Sequence, residues 1–237
     1  CPFRRKYGIL QSYPNILCFP RRLLMPKEPI KNQAYDLLYR KIMTCDYMPG
    51  LSLTEKDIAE ETGLGRTPLR EALIRLQNDG LIQIYPRKGM RITPITEDSV
   101  HQHYQVRKLI EPTILTQYYS QYSKQELLHY ETLFRQSEQE ESLPHFELDA
   151  RFHTFLVSIT QNEILLSMYH SLMISQVRLA MFAACHGIRN REGNLEQHEE
   201  IIEALLRENP EAASDALVYH LNQSLVNSLK CICLPNK

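Results

Sequence analysis

An aspartate and three histidines in the second half of this 237-residue chain are of the residue types that bind divalent metals. Asp149 and His153 are four residues apart, so they project from the same face of a predicted helix. His198 and His220 fall among apolar residues on two later predicted helices, which points both imidazoles inward. Such a mixed set of ligands suits Zn²⁺, Ni²⁺ or Mn²⁺ and leaves positions open for water or a ligand. The alternative is that these histidines are hydrogen-bonded core residues.

A cation is predicted on an otherwise apolar helix face in the same region. Arg107 requires a partner there, because burying an unpaired charge is costly. The nearby candidate is Glu111, one helical turn further on, and the functional candidate is the carboxylate of a bound effector. Tyr104 and Asn222 are candidates to line the same cavity. The remaining histidines are interpreted as surface or packing residues: His101, His103, His129, His145, His170 and His186.

Basic residues in the first half of the chain are placed where nucleic acid could be read. Arg66 and Arg70 lie one turn apart at the start of a predicted helix, next to Thr67. An arginine can form two hydrogen bonds with O6 and N7 of guanine, so this pair is the candidate for sequence readout. Lys56 begins the preceding predicted helix and is suited to a phosphate contact. The alternative is that these are ordinary solvated charges.

A second basic feature is a predicted turn at residues 86–89, between two runs of β-prone residues. Arg87 and Lys88 form its tip, where they would approach the DNA backbone or the minor groove. Gly89 allows the tight turn that such a close approach requires.

These candidate DNA contacts depend on three helices and a hairpin, which together predict a winged helix-turn-helix. The predicted elements are a helix at 30–44, a helix between the N-cap Thr54 and Gly63, a helix from Thr67-Pro68 to 78–80, and strands at 81–85 and 90–93. Thr67 is predicted to cap the third helix with its hydroxyl.

After Thr96 only helical patterns follow, so the predicted fold is mainly α: a winged helix-turn-helix followed by an all-α bundle of about six helices. The helices are predicted to start near Ser123, Asn162, Asn194 and Asn209. Their predicted ranges are 96–119, 123–140, 144–159, 162–185, 194–208 and 210–231. The chain is accordingly divided into a DNA-binding domain at 25–95 and a metal-binding, effector-binding and dimerisation domain at 96–237.

Composition and charge agree with two domains of different character. The formal net charge of -1 divides into +7 for residues 1–96 and -8 for residues 97–237. The basic half suggests an anionic partner. No apolar run has the length that a membrane span requires. The six cysteines show no repeated spacing, which argues against a disulfide framework and favours the reducing cytoplasm.

Residues 1–24 are basic and lack acidic residues, and helical patterning begins only after Met25. The hypothesis is that Met25 is the natural start and that residues 1–24 are a non-native extension. Without them the front domain has a net charge of only +2, so the prediction of DNA binding rests on where the charges lie.

Three segments of the front domain closely resemble the DNA-binding domain of the GntR family of bacterial transcription regulators. They read LTEKDIA at 53–59, GLGRTPLREAL at 63–73 and DGLI at 79–82. The resemblance implies DNA contacts at Lys56, Arg66, Arg70 and the wing at Lys88-Gly89. Gly65 departs from the family pattern, because many members have serine or threonine there.

The helical remainder resembles the effector domain of the FadR-type subfamily. Asp149, His153, His198 and His220 coincide with the metal ligands of that domain, and the resemblance implies that Arg107 binds the effector carboxylate. The leading hypothesis is therefore a homodimeric repressor that binds operator DNA, with Zn²⁺ as the expected metal, Ni²⁺ or Mn²⁺ as alternatives, and a small organic acid as effector.

Two further functions were weighed. A metal-dependent hydrolase requires a second carboxylate as general base, and Glu199 points about 100° away from His198 on the helix. A regulator with a purely structural metal would have a saturated coordination sphere.

Overall fold

The computed structural model describes residues 30–137, 143–188 and 191–232. The hypothesis on residues 1–24 concerns residues outside these ranges. The chain divides into two compact units, with the division between Thr96 and Glu97. In the described part of the chain, no helix combines the length and apolar character needed to cross a membrane.

The first unit contains three helices and a small antiparallel sheet of strand order β1-β3-β2. Its elements are α1 (Ile30–Met43), β1 (Ser52–Leu53), α2 (Glu55–Thr62), α3 (Arg66–Asn78), β2 (Ile82–Tyr85) and β3 (Gly89–Ile92). The predicted winged helix-turn-helix is confirmed. Strand β1 was not predicted, because two residues are too short to show an alternating pattern.

Local signals explain why α2 and α3 form where they do. The Thr54 hydroxyl accepts a hydrogen bond from the backbone N–H of Asp57, and the Asp57 carboxylate accepts one from the backbone N–H of Thr54, which closes a capping box at the start of α2. Gly63 ends α2 with a left-handed φ of 69°. The predicted apolar stripe of α3 is buried, and α3 packs against α1.

The predicted cap of α3 is wrong by two residues. The helix begins at Arg66, so its N-cap is Gly65, which has no side chain to accept a hydrogen bond. Thr67 therefore lies in the first turn and is exposed. Pro68 is the third residue of the helix, two positions later than a cap at Thr67 implies, and it is tolerated because the third N–H of a helix also lacks an intrahelical partner.

The second unit is all helical in its described residues, as predicted. Its helices are α4 (Glu97–Tyr118), α5 (Lys124–Ser137), α6 (Leu143–Ser158), α7 (Glu163–Cys185), α8 (Arg191–Leu206) and α9 (Pro210–Ile232). Asn162 and Asn209 accept backbone hydrogen bonds at the starts of α7 and α9, as capping predicts. Asn194 is not a cap, because α8 already begins at Arg191.

Packing in the second unit places α6 in the interior. Helix α6 packs against α4, α5 and α7, and α9 packs against α4, α7 and α8. An aromatic cluster formed by Tyr130, Phe134, Phe152 and Phe155 joins α5 to α6. The polar residues that α6 carries are therefore held in an apolar environment, where their interactions are strong.

Candidate metal centre and nucleic-acid interface

Four buried side chains from α6, α8 and α9 converge on one point. One ligand atom from each of Asp149, His153, His198 and His220 lies within 4.8 Å of the other three. Oδ1 of Asp149 is 3.1 Å from Nε2 of His198, 3.8 Å from Nε2 of His153 and 3.9 Å from Nε2 of His220. The structure thus brings together all four residues that the sequence selected.

Hydrogen bonds on one side of two imidazoles leave the nitrogens that face the centre of the cluster without protons. Nδ1 of His153 lies 2.7 Å from a carboxylate oxygen of Glu111, and Nδ1 of His220 lies 3.0 Å from the amide oxygen of Gln197. Both oxygens can only accept, so both Nδ1 atoms donate, and in a neutral ring Nε2 then carries a lone pair. These two Nε2 atoms are 3.2 Å apart. A bound cation would satisfy both, so the residues present fit a metal ion.

The third imidazole is held by aromatic rings. The ring of His198 stacks on Phe134 at 4.2 Å between centroids and meets the edge of Phe152 at 5.4 Å. Its Nε2 is buried and has no hydrogen-bond partner among the described residues. Oδ1 of Asp149 is 3.1 Å away, but the angles do not fit a hydrogen bond. A buried polar atom in this state calls for an explanation, and metal ligation supplies one.

The charges of the cluster also suit a metal. Burial lowers the pKa of His153, and the charge of Arg107 lowers it further. Burial and the neighbouring imidazoles lower the pKa of His220 well below its usual range. Burial alone would raise the pKa of Asp149, but its interactions with His198 and His153 hold it well below its usual range. The cluster therefore offers an anionic oxygen on Asp149 beside the neutral imidazoles of His153 and His220, the protonation states that metal binding requires.

Arg107 has the nearer of its two expected partners. It is fully buried, and its Nε donates to Oε1 of Glu111 at 2.5 Å. Its Nη2 lies 3.4 Å from the other carboxylate oxygen, while Nη1 has no hydrogen-bond partner among the described residues. Glu111 thus neutralises Arg107 in this structure, and the binding of an effector carboxylate by Arg107 stays a prediction.

A cavity of about 60 Å³ adjoins the cluster at Asp149. Asp149 and Tyr104 line it, and the hydroxyl of Tyr104 lies 3.1 Å from that of Ser228. The other polar lining residues are His145, Gln176, Asn194, Ser224, Asn227 and Ser228. Asn222 does not line it: this residue is exposed and accepts a hydrogen bond from Lys108 at 2.8 Å, because two helical positions separate it from the inward-facing His220.

Several residues of this site were not predicted from the sequence. His145 was interpreted as a surface or packing residue, yet it lines the cavity. The signal was present, because His145, Asp149 and His153 are spaced by four and share a helix face. Glu111 was considered only as a partner of Arg107. Gln197 has no sequence signal that separates it from an ordinary surface glutamine.

The carboxylate considered as a hydrolytic base is engaged elsewhere. Oε1 of Glu199 accepts a hydrogen bond from Nε of Arg135 at 2.6 Å on the exposed side of α8. This ion pair keeps Glu199 away from the cluster, in agreement with the prediction that Glu199 points about 100° away from His198 on the helix.

In the first unit, the predicted DNA contacts are all on exposed positions of α2, α3 and the hairpin. They are Lys56, Arg66, Thr67, Arg70, Arg87 and Lys88. Nε of Arg70 donates to Glu55 at 3.0 Å. This bond leaves both terminal nitrogens of the guanidinium for a base edge and restricts the orientation of the side chain.

The hairpin tip has unusual backbone geometry. Arg87 has a φ of 66°, a left-handed conformation that costs a non-glycine residue about 1–2 kcal/mol. Gly89 has a φ of 86°, and a Cβ atom there would lie 2.5 Å from the carbonyl oxygen of Leu53. Glycine is therefore required at 89, as the sequence predicted, but strand β1 imposes the requirement as much as the turn does.

Comparison with known proteins agrees with both units. The chain is 29% identical to the HTH-type transcriptional repressor RspR of Escherichia coli K12, over 84% of this chain and 89% of that protein. It is 27% identical to the Exu regulon transcriptional regulator of the same strain, over 85% and 84% of the two chains. A GntR regulator structure from Rhodococcus sp. RHA1 shares the fold, with a TM-score of 0.69 at 19% identity over 84% of this chain and 97% of that one.

Family patterns match both units. Residues 30–92 match the gntR family of bacterial regulatory proteins, and residues 102–223 match the FCD domain. The interpretation as a regulator, and not an enzyme, is thereby confirmed. The chain belongs to the GntR family of DNA-binding transcription regulators and carries an FCD domain.

Proposed function

We propose that this regulator is a homodimeric repressor whose operator affinity is controlled by a small carboxylate bound at a metal site in the FCD domain. The observation that supports a metal is the short distance between two unprotonated nitrogens. Nε2 of His153 and Nε2 of His220 lie 3.2 Å apart, each with a free lone pair. Zn²⁺ suits this set of three imidazoles and one carboxylate, and it tolerates an additional ligand. The metal would hold the effector carboxylate by direct coordination.

The cavity limits the effector. Its volume of about 60 Å³ suits a small acid. Its described polar lining is uncharged apart from Asp149 and the titratable His145, so the metal supplies the positive charge that attracts an acid. Gln176, Ser224 and Ser228 offer hydrogen bonds to the remainder of the molecule.

The DNA-binding proposal rests on the exposed basic residues of the first unit. Arg66 and Arg70 would read bases in the major groove from the start of α3. Lys56 and Thr67 would contact phosphates, and the tip at 87–89 would approach the adjacent backbone or minor groove. A single domain of this size buries little DNA surface, so two copies on a palindromic operator supply the specificity.

The effector acts through the difference in its affinity for two arrangements of the dimer. Repression relieved by ligand is the behaviour proposed here. In support, RspR is named a repressor, and the Exu regulator is named for the regulon that it controls.

The metal experiment compares the wild-type protein with His198→Ala. Metal analysis after purification should find about one equivalent in the wild type and none in the variant. A thermal-shift screen of small carboxylic acids should then show stabilisation that requires the metal. Metal without any acid response would indicate a structural metal, and a metal-free wild type would overturn the proposed metal site.

The DNA experiment measures operator binding by fluorescence anisotropy over a range of salt concentrations. Arg70→Ala should weaken specific binding by about 1–3 kcal/mol and relax sequence preference at one position. Lys56→Ala should weaken binding to all sequences and reduce the salt slope by about 1. Equal loss for specific and nonspecific DNA in both variants would contradict the assignment of Arg70 to base readout.

A further inference from the structure

A carboxylate outside the metal cluster holds one of the metal ligands. Glu111 on α4 is fully buried, and its Oε2 lies 2.7 Å from Nδ1 of His153. Its Oε1 accepts hydrogen bonds from Arg107 and from the hydroxyl of Tyr169, the latter at 2.7 Å. One carboxylate therefore accepts hydrogen bonds from three buried side chains on α4, α6 and α7.

This network restricts the orientation of the carboxylate. Because Arg107 and Tyr169 both bind Oε1, they direct Oε2 to the imidazole. Oε1 already accepts from Arg107 and Tyr169, and Oε2 accepts the Nδ1 hydrogen of His153, so the neutral ring presents Nε2 as a lone pair. A carboxylate behind a histidine ligand also increases the basicity of that ligand.

We infer that Glu111 is a positioning residue for the metal site, which fixes the tautomer and orientation of His153 and raises the metal affinity. The inference rests on the proposed metal-binding function and adds to it a residue that does not touch the metal. Arg107 holds Glu111 in place through its charge and the hydrogen bond from its Nε–H. In this chain Arg107 therefore serves the metal site through Glu111.

The test measures Zn²⁺ affinity by competition with a chromophoric chelator. Glu111→Gln should lower the affinity by about 10–100-fold, because one orientation of the amide turns an NH₂ group toward Nδ1 and the other weakens its bonds to Arg107 and Tyr169. Tyr169→Phe is a graded comparison: it removes one of the hydrogen bonds to Oε1 but leaves Arg107 on Oε1 and Oε2 with His153, so its loss should be clearly smaller than that of Glu111→Gln. Its affinity should stay within about threefold of wild type, a difference of about 0.65 kcal/mol.

Glu111→Gln leaves Arg107 buried without its counter-charge, which destabilises the fold. A second, charge-balanced variant therefore tests the role of Glu111 independently of this effect. Arg107→Met combined with Glu111→Gln removes both charges and should also bind Zn²⁺ at least about tenfold more weakly than wild type. Nitrogen NMR of the metal-free proteins gives a readout that does not depend on affinity. His153 should be protonated at Nδ1 in the wild type and should lose that preference in Glu111→Gln.

The outcomes separate the two proposals. A wild type that binds no Zn²⁺ overturns the proposed metal site, and this inference with it. A wild type that binds Zn²⁺, together with folded variants of unchanged affinity and an unchanged tautomer, overturns the role of Glu111 and leaves the metal site standing.

Discussion

Nε2 of His153 lies 3.2 Å from Nε2 of His220, while Nδ1 of each ring donates to an oxygen on its other side. Two lone pairs at this distance repel each other unless a cation lies close to both. The arrangement is therefore expected to be more stable with metal than without it.

The first prediction concerns this gain in stability. Zn²⁺ at 100 times its dissociation constant should stabilise the FCD domain by about 2.7 kcal/mol, since it binds the folded state alone. Chemical denaturation with and without a chelator measures the shift. His153→Gln should abolish it, whereas His129→Gln, on an exposed position of α5, should retain it. An equal shift in both variants would point to nonspecific metal binding.

The second prediction concerns acid stability. Burial, followed by the charge of Arg107, lowers the pKa of His103 to about 3 from its usual 6.5. The unfolded state therefore binds more protons, and stability is lost as the pH falls below 6.5, by about 1.4 kcal/mol at pH 5.5. With a chelator present, His103→Gln should remove this part of the pH dependence. The exposed His101→Gln should leave it unchanged.

A third prediction concerns Gly65, the N-cap of α3, which has no side chain to accept a hydrogen bond. Gly65→Ser should stabilise the protein by about 0.3 kcal/mol, because serine caps a helix slightly better than glycine. A phosphate hydrogen bond from its hydroxyl should raise operator affinity by about fivefold, or about 1 kcal/mol. The space is available, since a Cβ at 65 would meet only Pro68, at 3.7 Å. Gly65→Ala has the same space but no hydroxyl and should gain neither effect.

The strained tip of the hairpin supplies a fourth prediction. Arg87→Gly should stabilise the first unit by about 1 kcal/mol by removing the left-handed strain at φ 66°. It should also weaken operator binding and lower the salt slope by about 1. Arg87→Gln should weaken binding to the same extent without the gain in stability. If Arg87→Gly binds operator as well as wild type, the assignment of Arg87 as a DNA contact is wrong.

A fifth prediction separates two glycines with positive φ. Gly63→Ala places its Cβ in open space and should cost about 1 kcal/mol, the usual penalty for a left-handed residue. Gly89→Ala adds a clash with the carbonyl oxygen of Leu53 and should cost about 3 kcal/mol, with separation of β1 from β3. Thermal unfolding of both variants tests the difference, and equal losses would show that the sheet accommodates the methyl group.

The sequence by itself determined the order of the elements and the ligand types of the candidate site. Periodic apolar residues and capping signals such as Thr54, Asn162 and Asn209 act within one or two helical turns, so they are visible in the chain. The spacing of Asp149 and His153 depends only on helix geometry, and the apolar neighbours of His198 and His220 indicate that both point inward. The resemblance to a known family then supports the four residues as one metal site.

The tertiary structure decided which groups these residues meet. The Glu111 carboxylate that pairs with Arg107 also contacts Tyr169 and His153 from two other helices. The exposure of Asn222 depends on the phase of α9 against α4. Such contacts join residues far apart in sequence, and the burial that makes them strong exists only after the helices have packed.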